Sequence, residues 1–201
     1  MSTAEPHPLL VVVSGPSGVG KDAMLALVRE QRPEVFWAIT ATTRAVRPGE
    51  EHGVHHLFHT REEFLELLER GELLEHAEVY GNLYGVPKAP VREALAEGRD
   101  AIVRTDVQGA ASIRALAPDA LLIFVAPPSL EELERRLRSR DTESAEETAL
   151  RVETSRQEMR DAAWFDAVIV NETGGLEDAA QETIAVIERE RKRVPPREVS
   201  L

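Results

Sequence analysis

PLLVVVSGPSGVGK, residues 8–21, is the stretch that decides the fold. Pro8 to Ser14 is a continuous apolar run rich in β-branched residues, the pattern of a strand buried on both faces of a parallel sheet. Gly15, Pro16, Ser17, Gly18, Val19, Gly20 and Lys21 follow, and then apolar residues at helical spacing: Met24, Leu25, Leu27 and Val28. Strand, glycine loop and helix are the context that the GxxxxGK motif requires. Glycines let such a loop turn its backbone N–H groups around phosphate oxygens. The lysine adds a point charge and the helix N-terminus its dipole. The loop therefore predicts a nucleotide-phosphate site at residues 15–21.

Outward from the loop the texture alternates. The pattern predicts an extended segment over 35–43, a helix over 61–70, and helices over 90–97 and 108–116 around a strand at 101–105. A strand at 120–126, helices at 129–138 and about 145–163, a strand at 166–170 and a helix at 176–192 complete it. Ser129 with Glu132 three residues on reads as a capping box. Residues 44–90 break this rhythm with histidines, glycines and short alternating pieces, as an inserted subdomain would. The fold class is α/β, a three-layer P-loop fold with a mainly parallel central sheet.

Bulk properties narrow the function. The 201 residues suit one domain able to bury its own core. With no cysteine, disulfides, thiolate zinc sites and thiol nucleophiles are excluded. The net charge of −12 argues against nucleic acid or anionic membranes as partners. No apolar stretch is long enough for a membrane span, and the cytoplasm is the expected location. An acidic chain that binds phosphate must do so through local basic clusters. One is TTRAVRPGEEHG, 42–53, where Arg44 and Arg47 stand three apart before a Pro48-Gly49 turn. Two guanidinium forks near one point suit a phosphate monoester, although the residues alone favour ordinary surface charge.

GPSGVGK, TTRAVRPGE, REEF, GNLYG, DVQGA, APPSLEELERRL and VNE together resemble the guanylate kinase family, in its order and spacing, over about residues 9–190. The resemblance implies an enzyme that moves a phosphoryl group from ATP to GMP, with Mg2+ accompanying ATP. It implies a domain over 8–194: a core at about 8–35 and 91–194, a GMP-binding insertion at about 36–90, and a helical lid at about 136–158. Residues 1–7 and 195–201 are expected to be flexible, and the chain a monomer or homodimer. The loop residues 15–21 with Asp22 and Asn171 correspond to the ATP site. Thr40, Arg44, Arg47, His56, Glu75, Tyr84 and Asp106 correspond to the GMP site, with Glu75 and Asp106 as guanine readers. Lys21, Arg44, Arg136, Arg140 and Arg151 correspond to the residues that neutralise charge on the transferred group. The chemistry is consistent: guanine presents two adjacent donors on one edge and a carboxylate accepts two, whereas adenine offers no such pair.

The chain departs from the family around the metal. Asp22 and Ala23 follow Lys21 where the motif wants a hydroxyl that ligates Mg2+, and Arg104 stands where an acid is usual. Three readings of Asp22 are open: an ion pair with Arg104, a direct Mg2+ ligand, or an acid suited to the first turn of a helix. His56 replaces a phosphate-binding tyrosine and Val86 a guanine-facing hydroxyl. As a phosphate donor His56 would bind best when protonated. His52, His55, His56 and His59 invite a metal reading, but adjacent histidines on a strand point to opposite faces. Two rival functions follow from the same architecture: a ribose 1,5-bisphosphate phosphokinase, which Asp22 would suit, and a catalytically silent binding module, which the intact loop argues against.

Overall fold

The computed structural model describes residues 7–138 and 145–201. Its centre is a five-stranded, wholly parallel sheet in the order β2-β7-β1-β8-β9. The strands are β1 (Leu10–Ser14), β2 (Phe36–Trp37), β7 (Ala101–Arg104), β8 (Leu121–Ala126) and β9 (Ala167–Val170). Every residue of β1 and β8 is buried, as their unbroken apolar sequences demand. The strand period of two divides β1 between two cores. Val11 and Val13 join Met24, Leu25 and Val28 of α1 (Lys21–Gln31) and Ile184 and Ile187 of α7 (Leu176–Arg191). Leu10 and Val12 face the other way, with Val91 of α3 (Lys88–Ala96) and Val107, Ala110 and Ile113 of α4 (Val107–Leu116). Helices thus cover both faces.

The extended segment expected at 35–43 serves two sheets. Phe36 and Trp37 pair with β7 in the parallel sheet, whereas β3 (Ala41–Thr42) belongs to a second, four-stranded sheet in the order β4-β3-β6-β5. This mixed sheet adds β4 (Leu57–Phe58), β5 (Leu73–Val79) and β6 (Asn82–Pro87). It is covered by α2 (Arg61–Glu69), whose Phe64 is fully buried against Ala41, Leu73 and Leu83. Helix α2 starts in a capping box, with Thr60 accepting from the Glu63 N–H and the Glu63 carboxylate accepting from that of Thr60. At the start of α5 (Leu130–Arg138) only half of the expected box forms. Ser129 Oγ accepts from the Glu132 N–H, but the Glu132 carboxylate turns to Arg135 and Arg136 instead. Helix α6 (Ala145–Asp161) follows.

In the stretch 195–201, expected to be flexible, Arg197, Val199 and Leu201 pack against the body of the protein. Arg197 is buried, with ion pairs to Glu190 (2.9 Å) and Asp166 (3.4 Å) and a hydrogen bond to the Ala120 carbonyl (3.2 Å). Val199 and Leu201 lie on the α3/α4 core. The reason is chemical: a buried guanidinium with two carboxylates and a carbonyl replaces its water shell, which a tail of exposed prolines alone could not do.

Candidate active site

The phosphate loop sits at the C-terminal end of β1, where a parallel sheet with reversing strand order opens a crevice. Its backbone path needs glycine at both ends. A side chain at Gly15 (φ +138°) would meet the Val125 carbonyl oxygen at 2.2 Å, and one at Gly20 (φ +95°) the Asn171 amide nitrogen at 2.6 Å. Lys21 is the first residue of α1, and its ammonium donates to the carbonyls of Gly15 and Pro16. Burial, and then the charge of Arg104, lower its pKa to about 8, so the cation dominates at neutral pH.

A cleft of about 480 Å³ joins this loop to the second sheet. Its walls carry Lys21, Thr40, His56, Glu75, Tyr84, Asp106 and Arg151, seven of the side chains expected from the sequence. Glu75 comes from β5 and Asp106 from the start of α4, two elements packed against each other, so the two carboxylates face one space. Asp106 is the α4 N-cap, its Oδ1 accepting from the Gly109 N–H at 2.7 Å. A methyl group at Gly109 would lie 3.1 Å from Glu75 Oε2, so the bare helix turn makes room for that carboxyl. Burial, and secondarily the neighbouring Asp106, push the Glu75 pKa up to about 7. His56 sets its Nδ1 3.3 Å from the Thr40 carbonyl oxygen, and burial lowers its pKa below the ordinary value.

Other expected residues lie elsewhere. Both Arg44 terminal nitrogens donate to the Glu50 carboxylate at 2.6 Å, and that bond holds Glu50 down at about 2. Glu50 also accepts from the Arg47 backbone N–H (2.9 Å), while the Arg47 side chain is exposed. Neither arginine lines the cleft in this arrangement. Asn171 is buried, and its side-chain amide donates to the Val19 carbonyl (2.7 Å), so it props the loop from behind. Arg136 bonds Glu132 (2.7 Å) and the Asn171 carbonyl (3.1 Å). With Thr173 and Gly174 these residues border a second hollow, of about 350 Å³. Arg140 lies outside the described residues.

The Asp22–Arg104 pair is formed: Nε to Oδ1 at 2.5 Å and Nη2 to Oδ2 at 3.0 Å. Of the three readings of Asp22, the ion pair is the one that this geometry adopts, and the first-turn placement in α1 accompanies it. The histidines at 52–59 use their nitrogens locally. His52 and His55 accept from the Phe58 and Glu51 N–H groups, and His59 faces Glu63. His55 and His56 precede β4 rather than lying on it. Among the described residues no cluster of three or more His, Asp or Glu side chains is arranged to hold a metal ion.

Two residues went unread in the sequence. Glu158 of α6 is half-buried in the cleft, burial raises its pKa, and it interacts electrostatically with Lys21. Its spacing of seven from Arg151 puts both on one helix face, a signal that was available. Glu50, the partner of Arg44, gave no signal beyond its place after a turn.

A glycine phosphate loop ending a parallel strand, facing a carboxylate-lined cleft on a second sheet, defines a P-loop phosphotransferase of the nucleoside monophosphate kinase class. The guanylate kinase family model matches residues 7–190, and the chain belongs to the guanylate kinase family. It is 50% identical over 165 residues to a guanylate kinase of Nocardia farcinica, covering 81% of this chain and 86% of the relative. It is 44% identical over 197 residues to guanylate kinase 2, chloroplastic/mitochondrial, of rice (Oryza sativa subsp. japonica), covering 98% and 69%. Among solved structures it is similar to guanylate kinase from Anaplasma phagocytophilum, with a TM-score of 0.72, 32% identity, and 96% and 90% of the two chains covered. Among the described residues no helix is long and apolar enough to cross a membrane.

Proposed function

We propose that this chain transfers the γ-phosphoryl group of ATP to GMP, giving ADP and GDP, in the cleft between the phosphate loop and the second sheet. The observation that carries this reading is the pairing, in one cleft, of the Lys21 loop with two carboxylates, Glu75 and Asp106. Carboxylates facing an anionic substrate suit a part of it rich in donors, and the N1–H and N2–H2 edge of guanine is such a part. A wrong base leaves a half-buried carboxyl unpaired, which costs enough to discriminate strongly.

GMP lies with its base at Glu75 and Asp106 and its phosphate toward Thr40, His56 and Tyr84, while the loop and Lys21 hold the ATP phosphates. The GMP phosphate is largely a dianion near neutral pH, its second pKa being about 6. One of its oxygens attacks the γ-phosphorus without a dedicated base. The bond to the β,γ-bridging oxygen breaks and its electrons leave with ADP. Catalysis is then positioning plus charge neutralisation, by Lys21, Arg151 and the lid arginines Arg136 and Arg140. Arg44 and Arg47 complete the phosphate clamp only if Arg44 exchanges Glu50 for the ligand, a swap of one bidentate partner for another of the same geometry. Adenine fits the hollow beside Asn171 and Thr173. Mg2+ would come with ATP and supply positive charge to its phosphates; Asp22 is engaged by Arg104 and would not hold it. A cytoplasmic monomer or homodimer belongs to the same proposal, with light scattering as the check on the oligomer.

The test is a coupled ADP-release assay with ATP and Mg2+, offering GMP, dGMP, AMP, UMP and ribose 1,5-bisphosphate in turn. Turnover with GMP and little with AMP is expected. Turnover confined to the ribose bisphosphate, or absent with every acceptor, would overturn the reading.

A further inference from the structure

A phosphate-loop lysine is ordinarily followed by a hydroxyl that ligates Mg2+. Here Asp22 and Ala23 follow Lys21. Asp22 offers both oxygens to Arg104, at 2.5 and 3.0 Å, in the side-by-side geometry of a bidentate pair. A divalent cation ligated by Asp22 would have to stand beside a guanidinium bonded to the same carboxylate, or displace it. The residues present do not fit a Mg2+ ion ligated from the loop.

What they do fit is an anion. Arg104 ends β7, whose first three residues are buried, and leaves the sheet at its ligand-binding edge with its side chain half exposed. It lines the same cleft as Lys21 and Asp106. Asp22 occupies Nε and Nη2, and among the described residues Nη1 has no partner. The charge is also close to the loop lysine, since it is the second-largest cause of the lowered Lys21 pKa. Lys21 and Arg104 thus bring two cations to the loop mouth, among the carboxylates of Asp22, Asp106 and Glu158, and Arg104 is oriented there by a hydrogen-bonded pair rather than by a bound ion.

We propose that Arg104, held in place by Asp22, is a phosphate-binding residue of the ATP site and supplies there positive charge that a loop-ligated metal ion supplies where the loop carries a hydroxyl. ATP affinity then depends weakly on Mg2+. The proposal rests on the reading that the loop at 15–21 takes the ATP phosphates.

The experiment is a calorimetric titration of ATP alone, without acceptor, in excess Mg2+ and in excess EDTA. It uses the unaltered protein and the variants Arg104→Met, Arg104→Lys and Lys21→Met. Arg104 and Asp22 are 55% and 74% exposed, so their pairing contributes little to folding and the variants fold. The unaltered protein binds ATP in EDTA within about tenfold of its affinity in Mg2+. Arg104→Met lowers the affinity in EDTA about tenfold and the affinity in Mg2+ less, and Arg104→Lys recovers part of the loss. A purely structural role for the arginine would move both conditions alike. The proposal is overturned if the unaltered protein binds ATP only with Mg2+, or if Arg104→Met leaves the affinity in EDTA unchanged. Lys21→Met separates the two readings: it loses ATP in both conditions if the loop holds the phosphates, and unimpaired binding would overturn the loop reading itself.

Discussion

Glu75 and His56 both line the cleft, and their pKa values are shifted in opposite directions. The Glu75 pKa, raised to about 7 by burial and by Asp106, means that the folded protein holds this proton more tightly than an ordinary carboxyl does. Its contribution to stability is present at acid pH and is lost as pH rises from the carboxyl range through about 7. Guanine needs the ionised form, so below that value GMP affinity falls by up to tenfold per pH unit. His56 works the other way. Thr40 accepts from Nδ1–H, so in the neutral ring Nε2 carries a lone pair and cannot donate to a phosphate. Its contact with GMP requires the imidazolium, which burial disfavours. GMP binding therefore releases a proton at Glu75 and takes one up at His56. Calorimetry in buffers of different ionisation heat measures the balance: Glu75→Gln leaves net uptake, and His56→Phe net release. At this scale the sequence was legible where chemistry repeats a known pattern. Asp22 and Arg104 were readable as a pair because an acid stands where the loop usually has a hydroxyl and a base where the strand end usually has an acid. The Arg44–Glu50 bond was not readable, because two arginines near a turn look the same whether they point at a ligand or at a neighbouring carboxylate.

Elements carry the selectivity between the two substrates. Asn171, at the end of β9, supports the loop through the Val19 carbonyl, whereas Gly109, in the first turn of α4, leaves room for Glu75 and would put a methyl group 2.0 Å from Thr105 Oγ1. Asn171→Ala removes a buried bond, costs about 1–2 kcal/mol of stability and raises KM for ATP with little change for GMP. Gly109→Ala does the reverse, raising KM for GMP several-fold while ATP binding stays intact. Steady-state kinetics with each substrate varied in turn distinguishes them. The order of strands and helices was legible throughout, since long apolar periods mark buried elements. The division of residues 36–42 between two sheets was not, because two-residue strands carry no period of their own.

Across the whole molecule, the C-terminal tail closes a network that runs from Arg197 through Asp166 to Arg114, the last pair at 2.6 Å. Arg197→Ala strips two carboxylates of a buried partner and destabilises the fold by about 3 kcal/mol, measured as a lower urea midpoint with unchanged slope. Two prolines and several charges hid this in the sequence, because composition reports solvation on average and one well-placed guanidinium reverses it. The path of the chain between its two sheets has a different kind of consequence. The polypeptide leaves the parallel sheet after Trp37 and rejoins it at β7, by way of α3, which begins directly from β6. The segment between these crossings carries Thr40, His56, Glu75 and Tyr84 to the cleft, while Asp106 and the phosphate loop are encoded outside it. Inheritance can treat that segment as a cassette. Recombination at its two borders would exchange Thr40, His56, Glu75 and Tyr84 together while Asp106 and the phosphate loop stay in place, so most of the proposed acceptor wall would change in a single exchange rather than by a long series of point changes.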